Sequence, residues 1–263
     1  MNNNIKMVNP FEIIFASNNN EKESGKENIN NSLIKNKEYR FTFNFTDFNR
    51  RYQTQIKDNQ IKKLDLGKKH LGNDIISELE KYKFDNLSKI YLSENNITNI
   101  DNLILWNKPN LQKLYFQFNQ IKDISILSKV KFNKLQVLYL DNNLLSDINI
   151  LSKFNFPLLA TLSLHHNQIK DISVLANVNF KELAFLSLHS NNIEDINVFK
   201  KVQFPRLKTL ELNNNKITDI NCFDDISQFS LQQLHLDENE NINKKKFSKL
   251  IWNLKNKIKD FTI

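Results

Sequence analysis

The chain of 263 residues has only one cysteine, and it has no long apolar run. One cysteine cannot form an intramolecular disulfide, and such a sequence is typical of a reducing compartment. No stretch approaches the ~18 consecutive apolar residues that a membrane-spanning helix needs. We therefore expect a protein without a membrane span that works in the cytoplasm, with the nucleus as the alternative.

Motifs that carry catalysis are also missing. Glycine occurs only at Gly25, Gly67 and Gly72, so the sequence cannot build a phosphate-binding loop. It contains neither a G-x-S-x-G nucleophile elbow nor an H-E-x-x-H or paired-cysteine metal motif. These absences predict a non-enzymatic protein with no catalytic residue, no cofactor and no metal-binding residue.

What the sequence does contain is a repeat of 24 residues that is marked by asparagine. Before each repeated Asn lies L-x-x-L-x-L-x-x, with Ile or Phe at a few of the Leu positions, and four residues after each of the first six lies Asn or Asp, followed by Ile. A fixed period of this length indicates a solenoid, in which each unit buries its apolar face against the next. The repeated residues are Asn95, Asn119, Asn143, Asn167, Asn191, Asn215 and Asn239.

The repeated residues also predict the local structure of each unit. Leucines alternate with polar residues, as at Leu138 and Leu140, which is the pattern of a short strand with one buried face. The Asn side chain has donors and an acceptor for backbone groups that turn inward after the strand. Aspartates such as Asp123 and Asp147 precede the second apolar group, where we expect them to cap a helical turn on the outer face.

This pattern resembles the leucine-rich repeat family, whose signature is L-x-x-L-x-L-x-x-N-x-L. The continuation I-x-D-I-x-x-L is similar to the regulatory-subunit class of protein phosphatase 1 and to the bacterial internalins, but the units here are longer. The resemblance covers roughly residues 61 to 240. It implies an α/β leucine-rich-repeat solenoid with a concave parallel β-sheet, short helical or 3-10 turns on the convex side, and a cap at each end.

The remaining segments divide the chain into four parts. Residues 1–37 are rich in Asn, Lys, Glu and Ser, which predicts a disordered segment. Residues 38–60 predict an N-terminal cap with an alternating aromatic strand, and residues 61–240 hold about eight repeat units. Residues 241–263 predict a capping amphipathic helix. This segment has a net charge of +6, out of +8 for the whole chain. The alternating aromatic residues are Tyr39, Phe41, Phe43 and Phe45.

Strand residues that point away from the core form columns, because equivalent positions of neighbouring units lie about 4.8 Å apart. Aromatic residues and histidines are concentrated in these columns. Exposed aromatic side chains are typical anchors of protein interfaces; the structural alternative is that the tyrosines only stack on one another. The residues that we predict to contact a partner are Tyr91, Tyr115, Phe118, Tyr139, Asp141, His165, His166, Phe185, His189 and Glu211.

These observations predict a monomeric scaffold or regulatory subunit that binds a protein partner on its concave face. The resemblance implies a phosphatase catalytic subunit as one candidate partner. The alternative function is a nucleic-acid-associated factor that uses the basic C-terminal helix, although we do not expect nucleic acid to be the partner. A third hypothesis is a metal-dependent hydrolase at Asp141, His165 and His189, but parallel side chains on neighbouring strands rarely converge on one ion.

Overall fold

The structure is a computed structural model, and it describes residues 45–82, 84–227 and 229–263. The predicted disordered segment, residues 1–37, lies outside the described part of the chain. The predicted strand positions before Phe45 lie outside it as well.

In the described residues, nine short strands form one sheet, and they pair in the order of the chain. All neighbouring strands run parallel, and the register is constant: Leu114 pairs with Ile90 on one side and with Leu138 on the other. Equivalent positions of successive units therefore lie side by side. The strands are β1 (Lys63–Asp65), β2 (Lys89–Tyr91), β3 (Lys113–Tyr115), β4 (Val137–Tyr139), β5 (Thr161–Ser163), β6 (Phe185–Ser187), β7 (Thr209–Glu211), β8 (Gln233–His235) and β9 (Asp260–Thr262).

Parallel strands need a crossover connection, and here most crossovers contain a short 3-10 helix. Apolar residues of the crossovers, such as Ile124 and Leu127, are buried in the same core as the strand leucines. The sheet and these turns confirm the predicted solenoid. The 3-10 helices between β2 and β8 are Asp101–Leu105, Ser125–Ser128, Asn149–Lys153, Ser173–Asn177, Asn197–Lys200 and Asn221–Phe223.

Aspartates accept hydrogen bonds at the starts of five of these six 3-10 helices. The Asp147 carboxylate accepts a hydrogen bond from the N–H of Asn149 at 2.8 Å. The cap position itself is occupied by Ile148, which is buried, so the aspartate stands one residue earlier than predicted. It still satisfies the first free N–H of the turn. Equivalent bonds are made by Asp123, Asp171, Asp195 and Asp219.

The repeated asparagines connect neighbouring units. Oδ1 of the buried Asn143 accepts a hydrogen bond from the N–H of Ile121 at 3.0 Å. Nδ2 of the same residue donates to the carbonyl oxygens of Phe116 and Leu140, each at 3.0 Å. Phe116 and Ile121 belong to the preceding unit, whereas Leu140 belongs to the same unit. These bonds confirm that the asparagine satisfies inward-facing backbone groups.

At the N-terminal end, a helix within the predicted cap packs against the core, directly after the positions predicted to form a strand. The helices here are α1 (Thr46–Tyr52) and α2 (Asp74–Glu78). Phe45 is buried immediately before α1, and the ring of Phe48 lies 4.7 Å from that of Tyr82. The strand prediction is wrong at Phe45 because the following apolar residues, Phe48 and Tyr52, are four residues apart and face the core from a helix.

At the C-terminal end, the predicted helix is present but is shorter than the predicted segment. It is α3 (Ser248–Lys257), and its Leu250 and Leu254 are buried. The chain then adds β9 beside β8, with Phe261 opposite Leu234, and this strand was not predicted. Neither α3 nor any other helix in the described residues is long and apolar enough to cross a membrane.

Candidate functional site

The sheet face is the surface formed by the outward side chains of the strands and of the residues that follow each strand. Middle residues of the strands, such as Leu138, point into the core and are fully buried. The hydrogen-bond ladder continues beyond the strands, because the N–H of Phe118 donates to the carbonyl of Asp141 at 3.1 Å. Residues after the strands are therefore held in the same register as the strands themselves.

Three tyrosines lie side by side on the sheet face. The rings of Tyr91 and Tyr115 are parallel, with centroids 4.3 Å apart, and Tyr139 meets Tyr115 edge-on at 5.2 Å. The Lys63 ammonium lies 4.7 Å from the centroid of the Tyr91 ring. Burial, and next the neighbouring tyrosines, raise the pKa of Tyr115 to about 12, so its hydroxyl remains protonated. The result is an aromatic surface with hydroxyl groups.

Phe118 combines exposure with an unfavourable backbone. Its side chain is 55% exposed, although it is a large apolar residue. Its φ is +55°, in the left-handed region, where a residue with a Cβ costs roughly 1–2 kcal/mol relative to the right-handed region. The equivalent residues of the next units, Asn142 and His166, have the same conformation, and Asn tolerates it best. Phe118 therefore adds little to the stability of the fold.

Three histidines form a second group on the sheet face. The rings of His165 and His189, one unit apart, are stacked with centroids 4.2 Å apart. The ring of His166 lies across both, at 5.2 Å from His165 and 5.1 Å from His189. Burial and the neighbouring histidines lower the pKa of His165 to about 4, and burial lowers the pKa of His189. Both imidazoles are therefore uncharged at neutral pH.

Asp141 differs from the predicted exposed contact residue, because its side chain is only 5% exposed. Its carboxylate lies 3.4 Å from Nε2 of His165 and accepts a hydrogen bond from Nδ2 of Asn142 at 3.2 Å. Burial raises the pKa of Asp141. The expectation that this residue offers surface to a partner is wrong, since the neighbouring side chains cover it. Its carboxylate instead faces Nε2 of His165.

Phe185 and Glu211 occupy neighbouring strands of the same sheet. Phe185 is the first residue of β6, between Thr161 and Thr209, and it is half-buried. Glu211 is the last residue of β7, beside Ser187. The negative charge of Glu211 acts to raise the pKa of His165 and of His189, which partly offsets the lowering by burial. The predicted residues thus separate into a tyrosine group and a histidine group, with Glu211 close enough to act electrostatically on the latter.

Comparisons with known proteins agree with this geometry. The family model described as Leucine Rich repeats (2 copies) matches residues 109–153. The fold is that of the leucine-rich repeat proteins. Internalin C2 of Listeria monocytogenes is similar at a TM-score of 0.53 and 24% identity, over 68% of this chain and 73% of that one. A leucine-rich repeat protein of Leptospira interrogans is similar at a TM-score of 0.54 and 22% identity, over 71% of this chain but 44% of that one.

Leucine-rich repeat proteins generally act in protein–protein interaction, and the fold is generally non-enzymatic. A comparison with curated protein sequences gave no significant match. At identities below 25%, the similar structures establish the fold, and the choice of partner depends on the side chains that the repeats present.

Sequence reasoning missed some contacts of the leucine-rich repeat sheet. Lys63, from the irregular first unit, lies against Tyr91. At the other end, Nε2 of His235 lies 3.3 Å from the Asp260 carboxylate. Lys63 pairs with Lys89, which is 26 residues later, because the first unit is two residues longer than the others. Counting back by the usual 24 residues from Lys89 therefore misses Lys63. Asp260 carried no signal, since it belongs to the strand that was not predicted.

Proposed function

We propose that this protein is a non-enzymatic scaffold or regulatory subunit that binds a protein partner on the sheet face. The tyrosine group and Phe118 are its proposed anchors. Aromatic side chains supply much of the binding energy of protein interfaces because they bury large areas with few rotatable bonds. Three neighbouring tyrosines in ring contact, together with the exposed phenylalanine that follows β3, provide such a surface.

Phe118 is the observation that carries this proposal. An asparagine at this position, as at Asn142, would relieve the backbone conformation, and an apolar side chain that is 55% exposed contributes little burial. Because Phe118 lowers stability at its position, we attribute its presence there to a contact outside the fold. A protein partner that covers Phe118 would bury its apolar surface and supply that contact.

The first prediction concerns Phe118→Asn. We expect this variant to lose partner capture while its free energy of unfolding stays equal or rises by up to about 1 kcal/mol, because Asn fits the left-handed conformation. The triple variant Tyr91→Ala, Tyr115→Ala and Tyr139→Ala should also lose capture while its melting temperature changes little. The measurement is affinity purification from cells of the source organism, followed by quantitative mass spectrometry.

The matched control is Leu105→Asn. Leu105 is 54% exposed, like Phe118, but it ends a 3-10 helix away from the sheet face. Proteins that the unaltered chain and the Leu105→Asn variant both retain, and that Phe118→Asn loses, are the partners; a phosphatase catalytic subunit is one candidate among them. Equal recovery of every protein with all variants, in the folded state, would refute the sheet face as the binding surface. The nucleic-acid alternative gains no support from the fold or from the comparisons.

A further inference from the structure

The histidine group has the composition of a metal site. The donor nitrogens of His165, His166 and His189 all lie within 4.8 Å of one another. Within the described ranges it is the only group of three or more His, Cys, Asp or Glu side chains close enough to share an ion. Neutral imidazole nitrogen is a preferred ligand of zinc and of other divalent transition metals.

The polar contacts of two of these rings leave one nitrogen of each available. Nε2 of His165 faces the Asp141 carboxylate at 3.4 Å, while its Nδ1 is buried and has no hydrogen-bond partner among the described residues. Nδ1 of His189 lies 3.0 Å from Oγ of Ser190, so its Nε2 is available. Metal-ligating histidines are typically held in this way, with one nitrogen bonded to a carboxylate or hydroxyl and the other on the metal.

Charge in the surroundings also favours a cation. The buried Asp141 carboxylate lies directly behind His165, and Glu211 acts on both stacked histidines. A divalent ion bound there would offset the negative charge of the buried carboxylate.

We propose that His165, His166 and His189 bind one divalent transition metal ion of the zinc class on the sheet face, with Asp141 as the positioning residue of His165. Tetrahedral zinc with nitrogen at 2.0–2.1 Å places its ligands about 3.3 Å apart, so binding would draw the rings together. His166 can follow such a movement because it is exposed. Three protein ligands leave the fourth position open to water or to a partner's side chain.

This geometry differs from the sequence-based metal hypothesis. That hypothesis used Asp141, His165 and His189 in one column, whose parallel side chains do not converge. In the structure, His166 from the next column joins the group. Asp141 faces His165, so we assign it as the residue that positions this ligand rather than as a ligand itself. The proposal concerns binding of the ion alone, so it stands or falls separately from the protein-partner proposal.

The second prediction is that metal-free, untagged protein binds about one equivalent of Zn²⁺ by isothermal titration calorimetry, and that Co²⁺ in its place gives the visible absorption of a tetrahedral site. His166→Asn should lower the affinity by at least about 10-fold, and Asp141→Asn by about 10–100-fold, as is usual for the supporting residues of metal ligands. His166→Asn suits the left-handed backbone at this position, where φ is +49°, so the variant is expected to fold.

Matched controls come from the two remaining histidines. His70→Asn and His235→Asn lie outside the group and should leave Zn²⁺ affinity unchanged. Circular dichroism of each variant verifies that it is folded. The proposal is overturned if folded protein binds no Zn²⁺ or Co²⁺. It is equally overturned if the His70 and His235 variants weaken binding as much as His166→Asn does.

Discussion

At the scale of single residues, the repeated asparagine is the most constrained position. Asn143 makes bonds in two units at once, through Ile121 and Phe116 of the preceding unit and Leu140 of its own. A side chain of similar size without an amide would leave those backbone groups buried and unpaired. The asparagine therefore supports the fold rather than the binding surface.

The third prediction follows from this bonding. Asn143→Leu should lower the free energy of unfolding by at least about 2 kcal/mol, since each buried group left unpaired costs about 1–3 kcal/mol. Urea denaturation followed by circular dichroism measures the change. Asn133→Leu, at an exposed turn of the preceding crossover, is the control and should stay within about 0.5 kcal/mol. Equal stability of the two variants would contradict the bridging role of Asn143.

The sequence predicted the buried leucines and the asparagine column because both recur at fixed positions and depend on packing that is the same in every unit. It did not predict that Asp141 is covered or that Phe118 has a left-handed backbone. The left-handed conformation recurs at the equivalent residues of other units, such as Asn142 and His166, but no glycine marks it in the sequence. The burial of Asp141 and the convergence of His166 with His165 and His189 depend on the side chains of neighbouring units, which differ from one repeat to the next.

At the scale of elements, the repeat pattern located β1 to β8, and the chain ends were harder to predict. The segment Asp260–Thr262 lacks the leucine anchors of the repeat, so it carries no strand signal of its own. It forms β9 because β8 would otherwise leave a row of backbone donors and acceptors unpaired. The N–H of Leu236 donates to the carbonyl of Thr262 at 2.9 Å, which satisfies part of that row.

The fourth prediction tests this end of the sheet. Removing residues 259–263 should lower the melting temperature and increase self-association, because the edge of β8 is uncovered. Differential scanning calorimetry and concentration-dependent light scattering are the measurements. Lys259→Ala alters an exposed residue of the same segment and should change neither property. If the shortened chain melts and scatters like the full one, β9 does not protect the sheet.

At the scale of the described solenoid, strand order follows chain order, so each unit packs against its immediate neighbours. In such a structure, stability is approximately the sum of unit and neighbour terms. A defect in the middle therefore weakens two interfaces, whereas a defect at the end weakens one. Leu162 in β5 and Leu64 in β1 are both buried strand leucines at equivalent positions, which makes them a matched pair.

The fifth prediction compares this pair. Leu162→Ala should lower the free energy of unfolding by about 2–5 kcal/mol, as for other buried leucines, and should speed amide hydrogen exchange in β4, β5 and β6. Leu64→Ala should speed exchange in β1 and β2 and leave the distant strands protected. Exchange followed by mass spectrometry resolves these segments. Uniform acceleration across all strands by Leu64→Ala would show that the units do not act as separate neighbours.

The unshifted pairing between successive strands has an evolutionary consequence. Gain or loss of a whole 24-residue segment would widen or narrow the sheet by one strand, about 4.8 Å, and leave all other columns aligned. Insertion of a single residue within a strand would instead turn its leucines toward solvent. Duplication and deletion of complete units are therefore the changes by which this recognition surface can be resized without refolding the rest.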